Sequence, residues 1–324
     1  MRPLVALLCI LIPLSAARAQ TAVLDLGSGD EDVIGLHLTA NALREATDAL
    51  PDNVTTLVLT LDSRGGFLAE LPGLAGLLAT ELPARYDVTL VVREASSTAA
   101  LLALTAPRLV VREDGFLGGH APFERLGDVD LDLIGDDLRT AMLVADRCAL
   151  LGDRPTAVAR ALTARLPLGY DATGALSNEE PFVETLHDGA GVLTLAPDAS
   201  LRAGAADLVV ASHADIIARL SLPPRVATPT ADAVLAEHRA QVSERLARFD
   251  AAFAELERLL GEPLDDGRHA RALDRLGVLE TETGLHPRVG VLRGVDTLRL
   301  DDLEARIDER RAAFLATVPS TITP

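Results

Sequence analysis

Between residues 21 and 225, short runs of valine, leucine and threonine alternate with stretches whose apolar positions recur every three or four residues. Residues 22–26 and 55–61 read as buried strands, and the amphipathic stretch 36–50 between them reads as a helix. A Gly-Gly turn at 65–66 precedes a helix over 68–82 and a strand over 86–93. A small-residue helix then opens near Ser97, followed by a strand at 109–112, an Asp-rich stretch at 128–137 and helices through about residue 165. Residues 192–195, a further helix and residues 207–210 close this half. Such alternation predicts an α/β fold in which helices cover a largely parallel sheet.

Pro223-Pro224, followed by residues 227–230 with their threonines and Pro229, breaks the pattern. Strand signals stop there, which predicts an α/β domain over 20–225 and a helical C-terminal domain over 226–324. Leu235, Val242, Leu246, Phe249, Phe253, Leu256 and Leu260 are spaced 7, 4, 3, 4, 3 and 4 apart, and Leu300, Leu303, Ile307 and Phe314 follow at 3, 4 and 7. This heptad-like seam reads first as two helices folded back as an intramolecular coiled-coil hairpin, with an oligomerisation coiled coil that would make a homo-oligomer as the alternative.

The chain opens with Arg2, an apolar run from Leu4 to Leu14 and then Ala17-Arg18-Ala19, the order of a secretory signal peptide. Cleavage after Ala19 is predicted, leaving a periplasmic or secreted protein with no integral membrane domain. Of 324 residues 30 are basic and 48 acidic, a formal charge of −18. Loss of Arg2 and Arg18 leaves 28 basic against 48 acidic groups, or −20. So acidic a chain repels phosphate backbones, and no nucleic-acid partner is expected. All 30 basic residues are arginine, so no side-chain amine exists in the protein. Only Cys148 survives cleavage; one thiol makes neither an intramolecular disulfide nor a cysteine metal cluster, and its apolar surroundings predict burial.

Three segments that each end a β-run carry candidate chemistry: 62–67 (Asp-Ser-Arg-Gly-Gly-Phe), 94–100 (Glu-Ala-Ser-Ser-Thr-Ala-Ala) and 118–122 (Gly-Gly-His-Ala-Pro). Glycine pairs at strand ends let main-chain N–H groups face a crevice with no Cβ in the way, so Gly65 and Gly119 are candidate substrate-binding positions. Ser97 opens a helix. It can serve as a nucleophile with His120 as its base and the amides of Gly66 and Thr98 as oxyanion donors, or simply cap that helix.

With these segments in this order the chain resembles the ClpP/crotonase superfamily, and within it the ClpP-like serine peptidases that include Clp protease, signal peptide peptidase A and the NfeD-like membrane-bound serine proteases. Residues 62–67 are similar to their Ser-Pro-Gly-Gly turn, with Arg64 in place of proline. Residues 95–106 are similar to the Ala-Ser-Ala helix that bears the nucleophile, and 115–122 to a Gly-x-x-x-Gly-x-His-x-Pro segment. Residues 191–207, Leu-Thr-Leu then a helix then Gly-Ala-Ala-Asp, resemble an NfeD-like run. The resemblance spans about residues 22 to 220 and implies a repeated β-β-α core with a helical C-terminal extension. It also implies Ser97 as nucleophile, Gly66 and Thr98 as oxyanion donors, His120 as base, and Asp171 as the acid of a Clp-type triad. The Ser-Lys dyad of two of these groups is excluded, because no lysine is present and arginine stays protonated.

His37, His187, His213, His238, His269 and His286 adjoin no acid pair at ligand spacing and are expected at surface or loop positions. The run Asp128, Asp130, Asp132, Asp136 and Asp137 lacks the spacing of a calcium loop and reads as a solvated face. No cofactor and no metal are expected. The expected function is an exported serine endopeptidase acting on peptides or unfolded protein segments in the cell envelope. A catalytically inactive ClpP-like module that binds or assembles is the alternative, and an acyl-CoA crotonase is disfavoured by export and acidity. Edman sequencing of the protein recovered from its native cells should begin at Gln20; an intact Met1 would refute the leader.

Overall fold

The computed structural model describes residues 19–28, 32–119, 121, 123–126 and 129–317. Strands and helices alternate as β1 (Gln20–Ser28), α1 (Ala40–Asp48), β2 (Val54–Ser63), α2 (Leu71–Gly76), β3 (Asp87–Ala95), α3 (Thr98–Leu104) and β4 (Leu109–Gly118). The helix expected over 68–82 is present but changes pitch, with a tight turn at Leu68–Glu70 before α2 and a wide one at Leu77–Glu81 after it. A hairpin of β5 (Phe123–Leu126) and β6 (Val129–Asp132) leads into α4 (Gly135–Leu151) and α5 (Thr156–Thr163). A small antiparallel sheet of β7 (Leu168–Tyr170), β8 (Leu176–Ser177) and β9 (Glu184–His187) follows; the apolar pattern did not foretell it, because its strands are two to four residues long. Then come β10 (Thr194–Leu195), α6 (Pro197–Arg202), β11 (Leu208–Val210) and α7 (His213–Arg219).

The main sheet runs β1-β2-β3-β4, all parallel, with Leu24 beside Leu59, Leu59 beside Leu90 and Val91 beside Val110. Strand β10 adds antiparallel to the end of β4, and β11 parallel to its start. Because successive side chains point to opposite faces, Leu57, Leu59 and Leu61 enter the larger core under the helices, while Val58 joins Val91, Val110, Val210 and Ile216 on the other face. All seven residues of α3 are buried, and the six from Ala99 to Leu104 belong to the larger core, which accounts for a helix with no polar face.

The helical region consists of α8 (Pro229–Leu260), α9 (Asp266–Leu285), α10 (Pro287–Leu292) and α11 (Thr297–Thr317). The start of α8, at Ala231 and Leu235, belongs to the α/β core. From Val242 onward the seam is buried against α9 and α11 in a second core that also takes Leu36. The expected two-helix hairpin is therefore three long helices plus α10. Helix α9 escaped notice because its stripe of Ala272, Leu276 and Leu279 is thin and interrupted by charge.

All of the predicted leader, residues 1–19, except Ala19 lies outside the described residues. Among the described residues no helix is long and apolar enough to cross a membrane, and no cluster of three metal-ligating side chains occurs. Of the acidic run, Asp132 pairs with Arg165 at 3.1 Å and Asp136 with Arg139 at 2.6 Å, while Asp128 lies outside the described residues. Cys148 is buried, and burial, only partly opposed by Arg147, pushes its thiol up to about 12, so it is unreactive at neutral pH.

Asp207, the end of the Gly-Ala-Ala-Asp run, ties the sheet to the helices. Its carboxylate accepts from Leu109 N at 2.7 Å and from Arg154, whose Nη1 lies 2.8 Å away and whose side chain is buried. Burial alone would raise this carboxyl. The Arg154 and Leu109 hydrogen bonds and the charges of Arg154 and Arg108 outweigh it and hold the group below its ordinary value. Asp207 therefore adds stability above the ordinary carboxylate range, and that contribution is lost as pH falls through the range toward the lowered value. Asp207→Ala, which strands a buried guanidinium, should cost about 3 kcal/mol in urea unfolding at pH 7, the low end for a broken pair because the carboxylate is half-exposed. It should also flatten the acid limb of stability against pH. A loss below about 0.5 kcal/mol, the range of ordinary surface substitutions, would contradict this role.

Candidate active site

Strand β3 ends at Ala95 and α3 begins at Thr98, so Ser96 and Ser97 turn the chain between them. Ser97 has φ 50° and ψ −126°. These are the angles of the first central residue of a type II′ turn, a position that glycine ordinarily fills because a Cβ crowds the backbone there. Holding a serine in this state costs on the order of 1–3 kcal/mol. A capping serine is instead extended, with its Oγ accepting from a helix amide. Thr39 and Ser212 do this at the starts of α1 and α7; Ser97 does not. The capping alternative is thereby removed, and the strained turn presents a hydroxyl at a strand-to-helix corner.

Residues 63–66 support that corner. A Cβ on Gly65, where φ is 114°, would lie 2.9 Å from both the Ser97 Cβ and the Ser96 carbonyl oxygen. No other residue fits without moving the turn. Gly65 N donates to Ser63 Oγ at 3.2 Å, and its carbonyl accepts from Ile34 N at 2.9 Å. Both main-chain groups are thus engaged within the chain, and what the corner requires of Gly65 is its missing Cβ. The Ser63 hydroxyl donates in turn to the Asp32 carbonyl at 2.7 Å.

Ile34 and Gly66 form a parallel β-bridge, completed by Phe67 N donating to the Ile34 carbonyl at 2.9 Å. Since main-chain groups alternate in direction along an extended strip, this bridge uses one edge and turns the N–H and C=O of Gly66 to the other. On that other edge the Gly66 carbonyl accepts from Thr98 Oγ1 at 3.0 Å. Among the described residues nothing accepts from the Gly66 N–H or the Thr98 N–H. The strip and the start of α3 therefore hold two uncommitted donors beside the Ser97 corner.

The third segment reaches the same place. Gly119 donates to the Leu193 carbonyl at 3.1 Å, and a Cβ on it would sit 3.7 Å from Ser96 Oγ. The structure thus brings Gly65, Gly66, Ser97, Thr98 and Gly119 together. His120 follows directly and lies outside the described residues. Asp171 stands in the β7–β8 turn, partly exposed, with its Oδ1 accepting from Thr173 Oγ1, Thr173 N and Ala175 N. Those hydrogen bonds, that of the Thr173 side chain foremost, lower its carboxyl below the ordinary value. Arg64, the departure from the proline pattern, points to solvent, with its Nε 3.6 Å from Glu94.

Sequence reasoning missed Ile34 and Ser63; the β-branched pair Val33-Ile34 ahead of Gly35 was the only available signal. It also placed every remaining histidine at the surface or in loops. His37 lies in the 33–38 turn but is buried, its Nδ1 accepting from Val33 N at 3.1 Å. His238 lies on α8, half-buried, with Nε2–H donating to the Leu36 carbonyl at 2.8 Å.

No family model and no curated protein matches this chain. Several solved structures are similar to it in outline. The membrane-bound stomatin-specific protease 1510-N, from Pyrococcus horikoshii, solved with a substrate peptide, is 14% identical, covers 63% of this chain and 80% of its own, and gives a TM-score of 0.47. ClpP1 from Listeria monocytogenes is 9% identical over 62% of this chain and 95% of its own, with a TM-score of 0.37. An enoyl-CoA hydratase/isomerase family protein from Silicibacter pomeroyi is 16% identical over 86% and 96%, with a TM-score of 0.36. At such identities and TM-scores these likenesses say nothing of activity.

The strained corner makes a measurable prediction. Ser97→Gly should stabilise the protein by about 1 kcal/mol in thermal or urea unfolding, the relief of strain less the entropy glycine loses on folding. Ser97→Ala keeps the Cβ and should leave stability near the parent value. A glycine variant no more stable than the alanine variant would show that the turn is not strained.

Proposed function

We propose that the protein is an exported ClpP-like serine hydrolase that cleaves peptides or unfolded protein segments in the cell envelope. The reading is carried by Ser97, a serine held in a glycine-type conformation at a strand-to-helix corner, beside two main-chain N–H groups that no described residue accepts from. A capping serine is extended and does not adopt that conformation, whereas a nucleophile gains an exposed hydroxyl from it. In this reading Ser97 Oγ attacks the peptide carbonyl, His120 takes the hydroxyl proton and returns it to the leaving amine, and the Gly66 and Thr98 amides hold the oxyanion. Asp171 is committed through Oδ1 to its own turn, so the reading rests on Ser97, His120 and the two amides. A peptide aligned along the Gly66 strip meets the edge opposite Ile34, since Ile34 fills the first. Export rests on the leader at residues 1–19.

The second reading, a catalytically silent module of the same architecture, draws on the absence of lysine and the local engagement of Asp171. A fluorophosphonate probe separates the two. The mature protein should be labelled at Ser97. Ser97→Ala should abolish labelling, and His120→Ala should slow it by at least about 100-fold, the usual worth of a general base. Equal labelling of all three proteins, or none of any, would favour the silent module.

A further inference from the structure

A cleft of about 580 Å³ lies between the 33–38 turn, α8 and the junction of α9 with α10. Its volume is in the range of small-molecule sites, roughly 300–1,000 Å³. His238, Arg245, His286 and Arg288 line it over a floor that includes Leu36 and Val242, and no carboxylate is among the lining residues. In a chain with an 18-charge acidic excess, a cavity walled by two guanidiniums and two imidazoles is against the general trend.

The guanidiniums differ in how far they are already used. Arg288 Nη1 donates to the Gly35 carbonyl at 2.8 Å and pairs with Glu70 at 2.8 Å. Arg245, about one-third exposed, makes no hydrogen bond among the described residues. Its carboxylate neighbour among the described residues is the buried Glu282, at 3.8 Å, and that carboxylate is shared with Arg248 at 3.4 Å. One carboxylate between two arginines leaves positive charge in excess at this wall. In keeping with that excess, burial first and the Arg245 charge second hold the His286 imidazole below its ordinary value, against the weaker pull of Glu282.

We infer that this cleft is a binding site for a small organic carboxylate with an apolar body, its head on Arg245 and its body against Leu36 and Val242. Both a fatty acid and the free C-terminus of a hydrophobic peptide have this chemistry. Gly35 and Leu36 follow Ile34 in the chain, so an occupant would abut the segment that brackets Gly66. The inference does not depend on hydrolysis at Ser97, and binding alone tests it.

Calorimetry on the mature protein would use octanoate, octanol, inorganic phosphate, N-acetyl-Leu-Leu and its C-terminal amide. Octanoate, the dipeptide acid or both should bind, an acid that binds doing so at least tenfold more tightly than its uncharged counterpart, and phosphate should bind more weakly than the leading acid. A fatty acid is the source if octanoate leads, a peptide end if the dipeptide does. Arg245→Gln should weaken binding of the leading acid about tenfold, and Gln241→Trp, at an exposed rim position, should block it, with melting curves showing both variants folded. Equal binding of charged and uncharged partners, binding of phosphate alone, binding that neither variant changes, or no binding of any probe would each overturn the assignment.

Discussion

The candidate site depends on how one short strip of main chain is gripped from both edges. Ile34 takes the Gly65 carbonyl and the Phe67 amide on one side, and the Thr98 hydroxyl takes the Gly66 carbonyl on the other. Three hydrogen bonds near 3 Å leave the strip no freedom to rotate, and they leave the Gly66 N–H on the edge that faces the serine turn. Preorganisation of this kind is what makes a main-chain donor effective, because no reorientation is needed when charge develops. Gly65 and Ser97 share the constraint: the glycine has no Cβ because the serine Cβ occupies that space.

The helical region is not an appendage to this arrangement. His238 of α8 donates to Leu36 and Arg288 of α10 to Gly35, and the Arg288 guanidinium also lies 5.9 Å from the centre of the Phe67 ring. Arg239 reaches the Asp25 carbonyl and lies 3.8 Å from Asp32. The contacts to Asp25, Asp32, Gly35 and Leu36 fall on β1 or around the 33–38 turn, which carries Ile34, and Phe67 is itself hydrogen-bonded to Ile34. The C-terminal helices therefore stabilise the outer partner of the Gly66 strip, and their own core closes over Leu36.

Much of this was legible in the order of residues. Apolar runs such as 55–61 and 86–93 located the central strands because a parallel sheet covered on both faces demands nearly unbroken hydrophobicity. Ser97, Thr98 and the glycines stood out because strand ends with small residues are where main chain can be exposed. What stayed hidden depended on tertiary contact. The two-residue strand β8 has no periodicity to read, α9 hides its stripe among charges, and nothing local reveals that Ile34 must pair with Gly66, 32 residues later. The conformation of Ser97 was equally out of reach, since its sequence context suits an ordinary helix cap and only the backbone angles distinguish the two.

The direct test is a crystal structure of the mature protein carrying a peptidyl boronate. The account predicts boron bonded to Ser97 Oγ, with one boronate oxygen about 2.7–3.1 Å from both the Gly66 and Thr98 nitrogens, the reach of an oxyanion donor. A boronate bound elsewhere, or one whose oxygens point away from both amides while Ile34 still pairs with Gly66, would contradict it.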